Sequence, residues 1–372
     1  MAALNVQSAI VAVGLGWDCL RAGCGSDLVT RDGPRLAARK SATEWANVPN
    51  GGTEKPMRMF WRTAVAAIAA LTIATAAQAG DPDSCKTVRL SDIGWTDITS
   101  TTALTAQLLK GLGYTPKIDQ LSEEVTYTSM KKGDTDVFLG DWEPSMTSVR
   151  KPYVDEGSVV VLPDANLPVG AKYTLAVPQY TYDKGLKDFA DIAKFKDSLV
   201  GKIYGIEPGN DGNGLILGLI KDNKDGLKDF QLVESSEQGM LAQVDRATRR
   251  NEDVVFLGWA PHPMNVKYKM QYLTGGDDSF GPDFGAAKVY TNERKGWAEQ
   301  CPNAAKLIGN MKFTVETEDT WMDKILNGGE DPAKVASDWL KANPDSLNTF
   351  LAGVTTFDGQ PGVDAVKKSL GS

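Results

Sequence analysis

The sequence runs to 372 residues, 42% of them hydrophobic and 24% charged, a composition typical of a globular protein and a length that leaves room for two domains. Its formal charge is −8, and beyond residue 79 the balance is 32 Lys and Arg against 43 Asp and Glu. A surface that acidic repels phosphate backbones, which argues against nucleic acid as a partner.

The first informative segment lies well inside the chain. Residues 57–62 (Met-Arg-Met-Phe-Trp-Arg) are a short basic stretch, 64–77 is an apolar run, and Ala77-Gln78-Ala79 is a small-x-small cleavage motif. These are the three parts of an export signal, too short for a good membrane span. Residues 1–56 show neither helical nor strand period. A signal placed behind them would export poorly, so 57–79 is predicted to be the signal peptide and 1–56 a mis-assigned extension, with a disordered leader as the alternative. The mature chain then begins near Gly80 and enters the periplasm, with no lipid-attachment cysteine to hold it to a membrane. It keeps Cys85 and Cys301. An even count in an oxidising compartment suggests a bridge, although two buried free thiols would also fit.

From residue 87 onward short apolar strands alternate with amphipathic helices. Residues 87–93 read as a strand. Residues 100–112 follow as a helix, with Ala103, Leu104, Leu108 and Leu112 at helical spacing and Gly113 as its stop. Further strands are predicted near 115–119, 136–140, 158–162, 173–177, 202–206, 229–233, 253–257 and 270–273, with helices over 213–221 and 237–249. Such alternation predicts an α/β architecture with mostly parallel sheets. Beyond residue 300 the chain reads as mainly helical, with Trp321, Leu326, Trp339 and Leu340 as core.

One stretch occurs twice in variant form. Asp136-Val137-Phe138-Leu139-Gly140-Asp141-Trp142-Glu143-Pro144 is echoed by Asp253-Val254-Val255-Phe256-Leu257-Gly258-Trp259-Ala260-Pro261, each preceded by a helix opening at Ser-Glu. Both are apolar strands that deliver a Trp at their carboxyl end, where open α/β sheets bind ligands. Trp95 follows the first strand directly, and Tyr173 opens another. Singly, each of these rings reads as core. Their shared position at strand ends points instead to an aromatic cage, the expected site for a quaternary ammonium group, with each face contributing about 0.5–2 kcal/mol once water is excluded.

Signatures of other chemistry are missing. There is no H-E-x-x-H, no G-x-S-x-G and no phosphate loop, and the only histidine is His262, between two prolines. It reads as a structural hydrogen-bonding residue. Residues 222–226 are Asp-rich, but Lys224 occupies a position where a calcium loop needs an oxygen ligand. No metal, cofactor or catalytic residue is predicted.

These residues resemble the substrate-binding proteins of bacterial ABC transporters for glycine betaine, choline and related compounds. The resemblance runs from about Cys85 to the end. It rests on Gly94-Trp95-Thr96-Asp97, Gly140-Asp141-Trp142-Glu143-Pro144, Tyr173-Thr174-Leu175-Ala176-Val177-Pro178, Gly205-Ile206-Glu207-Pro208-Gly209 and Gly258-Trp259-Ala260-Pro261-His262. It implies a two-lobed, Venus-flytrap fold with the ligand in the interlobe cleft, lobe I over 85–171 and 269–372 and lobe II over 172–268. It also implies a Trp95, Trp142, Tyr173 and Trp259 cage, Asp97 neutralising the ammonium, Asn210 bonding a choline hydroxyl, and a Cys85–Cys301 disulfide. Pro263 stands where many betaine-binding relatives have an aromatic, which weakens transfer of betaine-specific contacts.

From the residues alone, Asp97 would equally serve as a helix N-cap and Asn210 as a turn residue. Asp97, with Asp141, would repel a betaine carboxylate and attract a bare cation. The expected ligand is therefore choline or a related quaternary amine, and the expected partner of this monomer is an inner-membrane ABC permease. Glycine betaine binding is the nearest alternative. A secreted hydrolase or a structural, receptor-docking protein would be a different class.

Overall fold

The computed structural model describes residues 80–371. The expected extension 1–56 and signal peptide 57–79 lie outside the described residues.

One βαβαβ unit is used twice. The first runs β1 (Thr87–Asp92), α1 (Thr96–Gly111), β2 (Thr115–Gln120), α2 (Glu123–Lys132) and β3 (Val137–Glu143). Two further strands follow, β4 (Val159–Val161) and β5 (Leu167–Pro178). The second unit runs β6 (Lys202–Tyr204), α3 (Asp211–Lys221), β7 (Gln231–Val233), α4 (Glu237–Arg250) and β8 (Phe256–Ala260). The chain returns through β9 (Met270–Tyr272) and β10 (Ala286–Arg294), then stays mainly helical, with α5 at Val315–Leu326.

Local chemistry sets these boundaries. α2 stops at Gly133, whose φ of 80° is the left-handed conformation that ends many helices. α4 opens on Ser236, whose hydroxyl accepts from the Gly239 N–H. β3 is buried along almost its whole length, as a strand covered on both faces must be.

The strand order is β2-β1-β3-β10-β5-β8-β6-β7, with β4 added on β10 and β9 on β5. Pairing inside each unit is parallel. The strands that carry the chain between the units run the other way: β10 is antiparallel to β3 and β5, and β5 is antiparallel to β8. The sheet is thus mixed rather than mostly parallel, because the crossing strands leave one unit and enter the next against its direction.

Cys85 and Cys301 are disulfide-bonded, with Cα atoms 5.6 Å apart. They belong to a core cluster with Leu104, Leu108, Trp297, Trp321 and Leu340. Trp321 and Leu340 are buried as expected, while Leu326 and Trp339 are half-buried. A second cluster joins Phe138 and Leu175 to Ile203, Phe256 and Leu257 and extends to the strand-end aromatics. The topology gathers the carboxyl ends of β1, β3, β6 and β8 together.

Candidate functional site

At that junction lies a narrow cavity lined by Trp95, Asp97, Trp142, Tyr173, Ile206, Asp211 and Trp259. Trp95 comes from the turn after β1, where Gly94 adopts φ 87°. A side chain at that glycine would be strained and would run into Gln120. Trp142 and Trp259 end the echoed strands. Tyr173 sits in β5 opposite Trp259 in the strand register, its ring centroid 6.0 Å from that of Trp142 and 6.4 Å from that of Trp259. None of the four aromatic residues is more than 7% exposed.

Two carboxylates share this wall. Asp97 is the second residue of α1, not its N-cap, which is Trp95. Its Oδ2 accepts from the Trp142 indole N–H at 3.1 Å, while its buried Oδ1 has no partner. Burial, reinforced by the charge of Glu237, pushes its pKa up to about 7. Asp211 is the first residue of α3. Its Oδ1 accepts from Gly212 N–H at 2.8 Å and from Asn210 Nδ2 at 2.9 Å, and its buried Oδ2 has no partner. Burial raises its pKa as well. Gly212 allows this close approach: a Cβ there would lie 2.1 Å from the Tyr173 hydroxyl.

Asn210 stands one step behind the wall. It is the N-cap of α3. Its Oδ1 accepts from Asn213 N–H and from the Tyr173 hydroxyl, both at 3.0 Å, and its Nδ2 donates to Glu123 at 3.0 Å as well as to Asp211. Asn210 is thus the helix-start residue of the turn reading; it does not line the cavity, and its side chain orients Tyr173 and Asp211. Asp141 is turned away from the cavity, paired with Arg150 at 2.9 Å and accepting from the Tyr127 hydroxyl at 3.2 Å. His262 is buried and does not line the cavity; it is bonded to Glu237 and to the Met264 N–H.

Asp211 and Ile206 are not among the residues expected at the site, although Ile206 lies in a stretch that carries the resemblance. Among the described residues no group of three or more His, Cys, Asp or Glu is arranged to hold a metal. No described helix is long and apolar enough to cross a membrane.

Residues 86–342 match the family model described as the substrate-binding domain of the ABC-type glycine betaine transport system. Among solved structures, an ABC-transporter choline-binding protein in complex with choline is 54% identical, with a TM-score of 0.76, covering 78% of this chain and 100% of its own. Lactococcal OpuAC, closed around glycine betaine, is 26% identical with a TM-score of 0.63, over 71% of this chain and 98% of its own. The glycine betaine/carnitine transport binding protein of Listeria monocytogenes is 31% identical over 151 residues, 40% of this chain and 49% of that protein.

Proposed function

The chain belongs to the substrate-binding domains of ABC-type glycine betaine transport systems, two-lobed α/β binding proteins, and from that premise we propose that it binds choline in the periplasm and delivers it to an inner-membrane ABC permease. The lobes are taken as 85–171 with 269–372, and 172–268, closing around the ligand by the differential contacts that closure makes. Export through a 57–79 signal peptide, a monomeric state and the absence of catalysis are part of the same proposal.

One observation carries the choice of ligand. The cavity is walled by four aromatic rings and two carboxylates, with no Arg, Lys or His among the residues that line it. Trp95, Trp142, Tyr173 and Trp259 would hold the trimethylammonium head. Asp97 would meet its charge, and the Asn210–Asp211 corner would take the hydroxyl. Two buried carboxylate oxygens without partners are costly as they stand, and a desolvated cation beside them offsets that cost. A betaine carries the same head but adds a carboxylate, which needs several donors and would find two acids instead. The choline complex of the 54% identical structure supports the same ligand.

Calorimetry with choline, acetylcholine and glycine betaine tests this. Choline should bind at least about tenfold more tightly than betaine, a gap of about 1.4 kcal/mol. Asp97→Asn should narrow that gap by weakening choline more than betaine. Equal affinities in the unmutated protein would replace the choline assignment with the betaine one, and hydrolysis of acetylcholine, the one ester of the three, would favour the hydrolase.

A further inference from the structure

We infer that Glu123 and Glu237 are positioning residues that close the site, each carboxylate capping the ligand-bearing helix of the other βαβαβ unit. α1 needs such help. Its N-cap is Trp95, and no side chain there accepts from the helix; a ring that serves the cavity cannot also cap. The missing acceptor comes from the second unit. Glu237, first residue of α4, takes the Thr96 N–H at 3.0 Å and the Thr96 hydroxyl at 2.9 Å through Oε2. Its Oε1 lies 2.9 Å from His262 Nε2. Because His262 Nδ1 accepts from the Met264 N–H at 2.9 Å, the ring proton is on Nε2 and is donated to Glu237.

The second unit receives the reciprocal contact. Glu123, first residue of α2, accepts through Oε1 from the Asp211 N–H at 3.1 Å and from Asn210 Nδ2 at 3.0 Å, at the start of α3. The two glutamates occupy equivalent places, each opening the second helix of its own unit and reaching the first helix of the other. Glu237 is 1% exposed and Glu123 3%. A third link, from the Trp95 indole N–H to Glu207 at 2.7 Å, runs beside them.

Carboxylates suit this role because the amides and dipole of a helix N-terminus favour negative charge. The bonds from Thr96 to Glu237 and from Asn210 and Asp211 to Glu123 exist only while the units are together; apart, those partners return to water. Deleting the Glu123 carboxylate therefore leaves helix amides buried and unpaired in the closed form and leaves the open form untouched, whereas deleting that of Glu237 also leaves His262 without its acceptor. Thr96 is flanked by Trp95 and Asp97, and Asp211 lines the cavity itself, so each cap also fixes ligand-facing residues. The inference rests on the reading that the ligand is enclosed between the units, but not on which quaternary amine it is.

Stopped-flow and calorimetric binding of choline and of glycine betaine at pH 8 to Glu237→Ala, Glu123→Ala and Glu237→Gln tests it. Each Ala variant should weaken both ligands by about tenfold, chiefly through faster dissociation. The ligand-free melting temperature should stay unchanged in Glu123→Ala and fall in Glu237→Ala, which also loses its bond to His262. Glu237→Gln, whose amide oxygen still accepts from Thr96, should fall between Glu237→Ala and the unmutated protein. Affinities within about twofold of the unmutated protein would overturn the inference, as would a loss that tracks a lower ligand-free melting temperature and is not partly restored by Gln. Equal affinities for the two ligands before mutation would overturn the choline assignment and leave the caps standing.

Discussion

Asp97 carries charge in a place that resists it. Burial, with Glu237 nearby, lifts its pKa to about 7, and a quaternary cation binds only the ionised form well. Choline affinity should therefore be flat above about pH 8 and weaken below pH 7, by at most about tenfold per unit for one linked proton. Asp211, raised in the same direction, adds to the slope. In Asp97→Asn the affinity should be lower at high pH and the slope shallower; an unchanged profile in titration calorimetry from pH 5.5 to 8.5 would remove Asp97 from the site. The aromatic residues were legible in the sequence because strand ends in α/β sheets are where ligands sit, and the rings were found at strand ends; Asp97 rested on the family resemblance, since its position read equally as a helix N-cap. Asp211 was not legible. Pro208-Gly209-Asn210-Asp211-Gly212 has the composition of an ordinary turn, and what makes Asp211 special is supplied by Glu123, 88 residues away in the chain.

Among the secondary-structure elements, the strands inside the two units were readable within a few residues, since apolar runs between turn residues mark them. The helix α1 begins four residues earlier than its apolar spacing suggested, at Thr96 rather than at residue 100. Its cap comes from 141 residues away, and no local signal announces that. β10 escaped the sequence reading entirely. Its Lys288, Asn292, Glu293 and Arg294 look like a surface segment, yet it pairs with both β3 and β5. Arg294 ties the end of the strand to its neighbours. Its Nε meets Asp136 at 2.6 Å, where Arg89 of β1 also binds at 2.6 Å. Burial alone would raise the Asp136 pKa, but bonds from the two arginines outweigh it and hold the carboxylate below its usual range. Its contribution is thus present above pH 4 or so and lost as pH falls through that lowered value. Asp136→Ala leaves two arginines uncompensated and should destabilise the ligand-free protein by about 3–5 kcal/mol in urea unfolding. Any variant that still folds should bind choline normally, because Asp136 does not line the cavity.

For the whole molecule, a ligand held between two lobes must do two things at once. It should make the protein more compact in small-angle scattering, and it should raise the melting temperature, because it binds only the folded chain. At a hundredfold excess over Kd the stabilisation is about 2.7 kcal/mol, which for a chain of this size corresponds to roughly 5 °C. Choline that raised the melting temperature without any compaction would mean that the lobes are already shut without it. The two-lobed plan was legible because the βαβαβ unit repeats, down to the Ser-Glu that opens its second helix. The antiparallel strands joining the units left no such repeat to find.

The disulfide has a topological consequence. Cys85 and Cys301 are 216 positions apart, and every residue lining the cavity, from Trp95 to Trp259, lies between them. The site is therefore carried on a macrocycle. A protease that nicks any one loop of the ring opens it into a longer thread but releases no fragment, and each residue around the ligand stays tethered to all the others. Only a second cut, or a reductant, separates the pieces.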